Sequence, residues 1–284
     1  MLTAVVVHRR RAEACVETGR ALLAEGVDRL IVVDNGSPAA DLEVLRAGLP
    51  AAELLELGAN TGFGAGANAG LRHWLRGGEG EWAFLCPHDA LPEPGCVASV
   101  LAAAAARPHA GLACAEFGDG VLNARPTVDR VVGGVVAPSE QRPGWEPCDY
   151  PHGTLMLVRR ACLDDVGLFD ERYFAYCEEA DLGIRARAAG WECGIVWGAV
   201  VRNAGMTSES GVPEYLMLRN SVGLVREHFG VAKATVQWLM AAWITLRASL
   251  GGRPPLFWHR RGRVLALRDA ALGRWGPPPR SLTG

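Results

Sequence analysis

Lysine is nearly missing from this chain: of 29 basic residues, all but Lys233 are arginine. Together with the wealth of alanine, that marks a GC-rich coding sequence and carries no chemistry. Paired cysteines are missing too. The eight cysteines (15, 86, 96, 114, 148, 162, 177 and 193) form no C-x-x-C pair. The usual zinc and dithiol spacings are therefore excluded, and reduced thiols are the expectation. No stretch of about 18 uncharged apolar residues occurs, the length a spanning helix needs. The nearest, residues 231–250, is broken by Lys233, Gln237 and Arg247. The opening MLTAVVVHRR has no basic leader, no long apolar run and no small-residue cleavage site. It reads as a buried strand and not as a signal peptide.

What is present is the composition of an ordinary globular protein. Over 284 residues, 49% are hydrophobic and 21% charged, enough for one large α/β domain, or a domain with an appendage. The net charge of −2 conceals a lopsided chain: residues 219–284 hold eleven Arg or Lys against two acids, and the rest hold eighteen against twenty-nine. A basic tail of this kind fits an anionic surface, phospholipid or a diphosphate-linked acceptor, and equally a plainly solvated face. Trp238, Trp243 and Trp258 within it suit an interface. No nucleic-acid recognition motif accompanies the charge, so nucleic acid is not expected as a partner.

Apolar runs bounded by turn residues alternate with helical patterns through the first 116 residues. Strands are expected at 2–7, 29–33, 53–57, 81–86 and 110–115, with helices at 11–25, 39–47, 63–76 and 95–106 between them. That alternation argues for a mainly parallel central sheet flanked by helices. From 117 to 150 the pattern loosens into a strand and a long loop, and long loops often carry function. A strand at 154–158, a helix near 178–190 and short strands at 192–197 and 199–202 follow. From 213 the chain reads as helices to about 271.

The most unusual stretch is GANTGFGAGANAG (58–70), with five glycines and two asparagines in thirteen positions. Gly62, Gly64 and Ala67 fit G-x-G-x-x-A. A dinucleotide fingerprint, however, follows the first strand, and an acid about 20 residues later ends the second. Here the loop follows the third strand, and Glu79 and Glu81 stand at the start of the next. A nicotinamide enzyme is therefore not expected. Two readings of the glycines remain: backbone laid close against some other ligand, with amides free to donate, or close packing of helix on strand. Asp34 closes the second strand in IVVDNGSP (31–38), at a carboxyl sheet end where open α/β sheets bind ligands; the same residues suit a plain turn. PHDA (87–90) follows the fourth strand, and GLFDERYFAYCEEADLGIRARAAGWE (167–192) leads into the late helix. On that helix Glu178, Asp181 and Arg185 share a face, Asp181 can pair with Arg185, and Glu179 is turned about 100° away.

Taken in this order, the motifs resemble the inverting family 2 glycosyltransferases of GT-A (nucleotide-diphospho-sugar transferase) fold, especially the bacterial rhamnosyltransferase-like branch. The resemblance covers nearly the whole chain, through ALRDAALGRWG (266–276). It implies an α/β domain with a nucleotide-sugar-binding half (1–116), an acceptor-binding and catalytic half (117–212), and a helical, basic C-terminal extension (213–284). His8, Arg9 and Asp34 would hold the nucleoside; Asn60, Gly62, Gly64 and Asn68 would line the nucleotide and sugar. Asp89 would take a divalent cation, Mg2+ or Mn2+, on the diphosphate. The first acid of the family's D-x-D-type motif is missing; His88 beside Asp89 is a poor ligand for Mg2+ and acceptable for Mn2+. Glu179 falls where the family has its base, usually Asp. Glu178, Trp145, His152 and Gly153 fall on the acceptor side, although a lone His or Trp commonly just packs. After the last core strand the family carries a His in a segment like VVH-x-x-G-x-S. This chain reads VVRNAGMTS (200–208), which puts Arg202 there. A guanidinium cannot ligate a metal but can grip a phosphate with two hydrogen bonds, so a weakened need for the cation is expected.

The resulting expectation is a cytoplasmic enzyme, peripheral at the inner face of an anionic membrane, with a homodimer left open. It would move a dTDP-, UDP- or GDP-linked sugar to a hydroxyl of a glycan, a lipid-linked glycan or a natural product. A nucleotidyltransferase is the rival enzyme, disfavoured because no Lys/Arg-rich glycine loop follows the first strand. A catalytically inactive nucleotide-sugar-binding protein is the rival of another class, because the metal motif is degraded.

Overall fold

Strands rich in Val and Ile, separated by helices, can bury both faces only inside a sheet that is covered on both sides. The computed structural model, which describes residues 1–78, 80–118, 124–203, 211–255 and 258–282, has such a sheet. Its first half is β1 (Thr3–His8), α1 (Ala12–Ala24), β2 (Arg29–Asp34), α2 (Ala39–Gly48), β3 (Glu53–Glu56), α3 (Phe63–Gly77) and β4 (Trp82–Pro87). These strands run parallel in the order β3-β2-β1-β4, with Val5 opposite both Ile31 and Leu85. The chain goes on through β5 (Ala90–Pro92), α4 (Cys96–Ala105), β6 (Ala110–Phe117), β7 (Ala124–Asp129), β8 (Gly133–Pro138), β9 (Gly144–Pro147), β10 (Met156–Arg159) and α5 (Arg160–Val166). It ends in α6 (Glu178–Ala188), β11 (Glu192–Asn203), α7 (Val212–Phe229), α8 (Val231–Ser249) and α9 (Arg260–Ala271). β10 enters antiparallel between β4 and β6, and β11 runs parallel to β6. β5 and β9 pair antiparallel with β11, which completes nine strands, while β7 and β8 form a separate hairpin.

Two cores result. α1, α2 and α4 cover one face through Leu22, Leu45 and Val100, and α3, α5 and α6 cover the other through Leu71, Trp74, Leu163 and Leu182. A side chain at Gly70 would collide with Val5, so α3 lies directly on β1. All eight cysteines are free thiols. Among the described residues no helix is long and apolar enough to cross a membrane.

This topology places the site. β2 and β3 lie on one side of β1, and β4 lies on the other. The reversal leaves a crevice outside the carboxyl ends of β1 and β4. His8 and His88 emerge there together, their rings 5.8 Å apart.

Departures from expectation have local causes. The loosened stretch 117–150 holds a hairpin turned at Asp129, whose Oδ1 accepts the N–H groups of Val131 and Val132 at 2.7 and 2.8 Å. α5 is only seven residues long, too short to show a helical period. The two short strands at 192–197 and 199–202 are one strand, β11, whose register against β6 slips between Val196 and Val200 around Gly198 (φ +85°). Glu79 and residues 204–208 of VVRNAGMTS lie outside the described residues.

Candidate active site

His8 and Asp34 stand in register at the ends of β1 and β2, both buried. His8 Nε2 accepts the Arg11 N–H at 3.2 Å, so the ring proton sits on Nδ1 and goes to Asp34 Oδ1 at 3.1 Å. The other Asp34 oxygen accepts from the N–H groups of Gly36 and Ser37 at 3.2 and 3.1 Å. The pair is therefore committed to the chain itself and builds the floor of the crevice. Arg9 is not: its Nε is buried without an acceptor. Burial, and then the neighbouring Arg10 charge, lowers its pKa. A buried donor left unpaired is costly, and here it waits beside an open crevice.

The glycine loop departs from its first reading. Gly62 caps α3 at φ +91°, and a Cβ there would run into the carbonyl of Phe174. Phe63 N donates to that same oxygen at 2.6 Å. A Cβ at Gly64 would lie 3.6 and 3.8 Å from the Cβ atoms of Phe169 and Glu178. Asn68 is buried and fully engaged: it accepts from Phe169 N at 3.0 Å and donates to Phe169 O and Glu171 Oε1 at 2.9 Å each. Asn60 is exposed, with its Oδ1 accepting from Gly62 N at 3.1 Å. Gly62, Gly64 and Asn68 thus seat the segment 169–178 and are not laid open to a donor. Glycine is needed because two stretches of backbone touch.

That seated segment is strained. Phe174, Tyr176 and Cys177 have φ of +68°, +67° and +75°, a conformation that costs non-glycine residues on the order of 1–3 kcal/mol each and persists only where surroundings hold it. Asn220 of α7 holds it here, its Nδ2 lying 2.9 Å from the carbonyl of Tyr173 and 2.8 Å from those of Ala175 and Tyr176. Arg219 Nη2 donates to Tyr173 O at 3.2 Å, and Trp275 packs edge-on against the Tyr173 ring at 5.2 Å. On α6, Asp181 is bound by Arg185 and by His228 of α7, each at 2.8 Å.

Two acids open α6. Glu178 is 2% exposed and its Oε2 has no partner; burial first, then the Glu179 charge, pushes its pKa well up. Glu179 faces elsewhere, onto a cleft of 520 Å³ whose walls include Tyr150, Tyr176, Met217 and Ala241. Burial raises its pKa, while its own N–H and that of Gly153 pull the other way. Gly153 lies so close to Glu179 Oε1 that a Cβ there would overlap it. The structure thus joins Gly153 to Glu179, and adds Tyr150, an aromatic in DYPHG that sequence reasoning passed over.

His152 and Trp145 are not brought to the cleft. The His152 ring packs edge-on against Phe117 at 6.3 Å with neither nitrogen well bonded, and burial drives its pKa down to about 4. Trp145 sits on the α4 face of the sheet, against Gly194 and under Arg107 at 5.0 Å, whereas α6 covers the opposite face. Both are packing residues. Edge pairing of β9 with β11 decides the face, and local sequence does not announce it.

At the end of β4, Asp89 accepts from Asn203 Nδ2 at 3.2 Å and lies 3.8 Å from Arg11 Nη1. Burial lowers the pKa of His88, whose ring bonds the Val7 backbone. Among the described residues no three of His, Cys, Asp and Glu gather as a metal cluster. Arg202 is elsewhere: 66% exposed, with its Nε 2.5 Å from Glu93. Neighbouring strand residues face opposite ways, and it is Asn203, not Arg202, that reaches Asp89. Arg11, the last of HRRR (8–11), is the guanidinium at this carboxylate. Arg202→Ala should therefore change the transfer rate by no more than about twofold, since an exposed ion pair is worth roughly 0–1 kcal/mol. Initial rates check this, and a loss of tenfold or more would return Arg202 to the phosphates.

With this geometry in place, the class is plain. The chain belongs to glycosyltransferase family 2: the family model described as "Glycosyltransferase like family 2" matches residues 2–223. It is 30% identical over 266 residues to the N-acetylglucosaminyl-diphospho-decaprenol L-rhamnosyltransferase of Mycobacterium tuberculosis, from strains CDC 1551 / Oshkosh and ATCC 25618 / H37Rv. That similarity spans 83% of this chain and 87% of the relative. Among solved structures, the mannosyltransferase PcManGT from Pyrobaculum calidifontis, in complex with GDP-Man and Mn2+, superimposes with a TM-score of 0.60 at 17% identity, over 95% of this chain and 86% of that one. GalNAc-T7 with UDP, GalNAc and Mn2+ superimposes with a TM-score of 0.63 at 11% identity, over 96% of this chain, which spans 56% of that longer one. The fold is GT-A, and the protein is a glycosyltransferase.

Proposed function

We propose that this enzyme is an inverting transferase that moves a sugar from a nucleoside diphosphate to an acceptor hydroxyl, with Glu179 as the base. The observation that carries this reading is Glu179 itself, a carboxylate on the wall of an open cleft, tethered by the Gly153 N–H. Glu179 takes the acceptor's O–H proton, and the freed oxygen attacks the anomeric carbon from the side opposite the diphosphate. The bond from that carbon to the phosphate oxygen breaks, and its electron pair leaves with the nucleoside diphosphate. Arg9 with its orphaned Nε, and Arg11, supply positive potential for that anion. Asp89 fits a divalent cation held mainly by phosphate oxygens, an arrangement that needs only one or two protein carboxylates. Such a cation would neutralise charge on the leaving group, and the Mn2+ named with both structural relatives supports it. On this reading residues 1–116 form the donor half, 117–212 the acceptor half, and 213–284 the basic extension.

The name of the mycobacterial relative supports two finer choices. A rhamnosyl donor puts a dTDP-linked sugar ahead of UDP- and GDP-linked ones, and a diphospho-decaprenol acceptor puts a lipid-linked glycan first. The test is a thermal-shift screen of dTDP, UDP and GDP, then transfer from the matching sugars with the product anomer read by NMR. One nucleotide at a hundred times its Kd should stabilise the fold by about 2.7 kcal/mol, which is roughly 5–10 °C for a chain of this size. Retained anomeric configuration would defeat the inverting mechanism, and no nucleotide response would defeat the donor reading.

With a lipid-linked acceptor, the proposal extends to a peripheral position at the inner membrane face. The basic tail should partition to anionic vesicles over neutral ones, and less so as salt rises. Equal partitioning to both would end this idea. Of its four tryptophans only Trp243 is exposed; Trp238 Nε1 donates to Leu267 O at 2.8 Å, Trp258 is half-buried near Arg263, and Trp275 packs on Tyr173.

A further inference from the structure

The cleft beside Glu179 extends between α7 and α8, where Met217, Leu218, Met240, Ala241 and Ile244 make its walls mainly apolar, with Ser221, Gln237 and the Glu214–Arg263 ion pair as its polar part. Its 520 Å³ falls within the roughly 300–1,000 Å³ of ligand pockets. Met217 and Met240 are also 39% and 48% exposed, so the cleft opens onto the outer surface of α8. Methionine is flexible and polarizable, which suits a wall that must fit a chain of many conformations.

That outer surface is an exposed apolar stripe. Val236, Leu239, Met240, Trp243, Leu246 and Leu250 follow one another at helical spacing, each about half exposed or more. Exposed Arg247, Arg253, Arg260 and Arg261 lie on and after the same helix. Contiguous apolar surface left in water is unfavourable and marks an interaction site. Arginines around an apolar helical stripe match an anionic headgroup layer over acyl chains.

We infer that the cleft takes the apolar chain of a lipid-linked acceptor, delivered from an anionic bilayer against which the α8 stripe lies. The acceptor's hydroxyl end then meets Glu179 while its chain runs out between α7 and α8. This deepens the transferase reading and rests on it for the role of Glu179.

The first test titrates the full-length protein with n-alkyl diphosphates of increasing chain length, by calorimetry. Each added methylene should tighten binding about fourfold while the cleft has room. Ala241→Trp, which fills the cleft from a buried position, should flatten the series. A thermal shift with the nucleoside diphosphate shows that the variant is folded. A flat series in the parent, or a slope untouched by Ala241→Trp, overturns the inference. A nucleotide shift without any slope removes the cleft assignment alone; a slope without any nucleotide shift upholds the cleft and removes the transferase reading. The second test is Leu239→Glu with Leu246→Glu, which should lower partition to phosphatidylglycerol vesicles at least tenfold and leave sedimentation unchanged. A parent dimer dissolved by this pair would make the stripe a subunit contact and overturn its assignment to the bilayer.

Discussion

Glu179→Gln should lower kcat by about 10²–10⁴ while nucleotide binding holds, the range expected when a positioned general base is removed. Glutamine keeps the volume and can still accept the Gly153 N–H, so shape is preserved and basicity is lost. The pH profile adds a second reading. Burial holds the Glu179 pKa above its ordinary value, and the base works only when deprotonated. The acid limb of kcat/KM should therefore fall at a higher pH than the roughly 4.3 of a free glutamate. The sign for stability runs against activity. A carboxyl whose folded pKa is raised contributes stability in full below its unfolded pKa, and that contribution is lost as pH rises through the folded value. Above its raised folded pKa the half-buried Glu179 carboxylate thus burdens the fold, and Glu179→Gln should melt slightly higher there and no higher in acid. Turnover within a few-fold of the parent would remove Glu179 from the chemistry.

Gly153→Ala should cost nearly as much without unfolding anything. A methyl group at this position overlaps Glu179 Oε1, the movable end of a side chain, so the carboxylate shifts and the backbone need not. Displacing a reacting group by about 1 Å can cost on the order of 10²-fold. A loss of that size in kcat, with Tm unchanged within about 2 °C, is the expected outcome. The double variant with Glu179→Gln should be no slower than Glu179→Gln alone, because both changes act through one carboxylate. Multiplying losses would show that Gly153 acts elsewhere.

Much of this was legible from residue order. β1 to β4 and α1 to α4 each have a clear period, and alternation alone gives their parallel arrangement. The direction of Glu179 was legible because helix geometry turns it away from Glu178; its task as the base comes from the motif order and stands as the proposal above. The glycine loop was half legible. Its conformational need could be seen, but its partner could not, since Asn68 meets Phe169 across 101 residues. Arg202 and Asn203 illustrate a subtler limit. A strand fixes that one faces Asp89 and the other faces away, but which one depends on a register that slips at Gly198, and a slip of one residue exchanges the faces. Trp145 and His152 misled for a related reason: the side of the sheet on which they fall is set by strand pairing.

The Asn220 amide has a consequence for how such enzymes can diversify. Because one side chain of α7 gathers three carbonyls of the strained turn ahead of Glu179, the helical tail is no interchangeable module. A chain ending after β11 would keep the crevice outside β1 and β4 and lose the alignment of the proposed base, Glu179. Swapping α7 to α9 between relatives to alter acceptor choice would succeed only when the graft brings its own Arg219–Asn220 pair and Trp275. In this chain the wall of the proposed acceptor cleft and the alignment of Glu179 therefore rest on the same helix, α7.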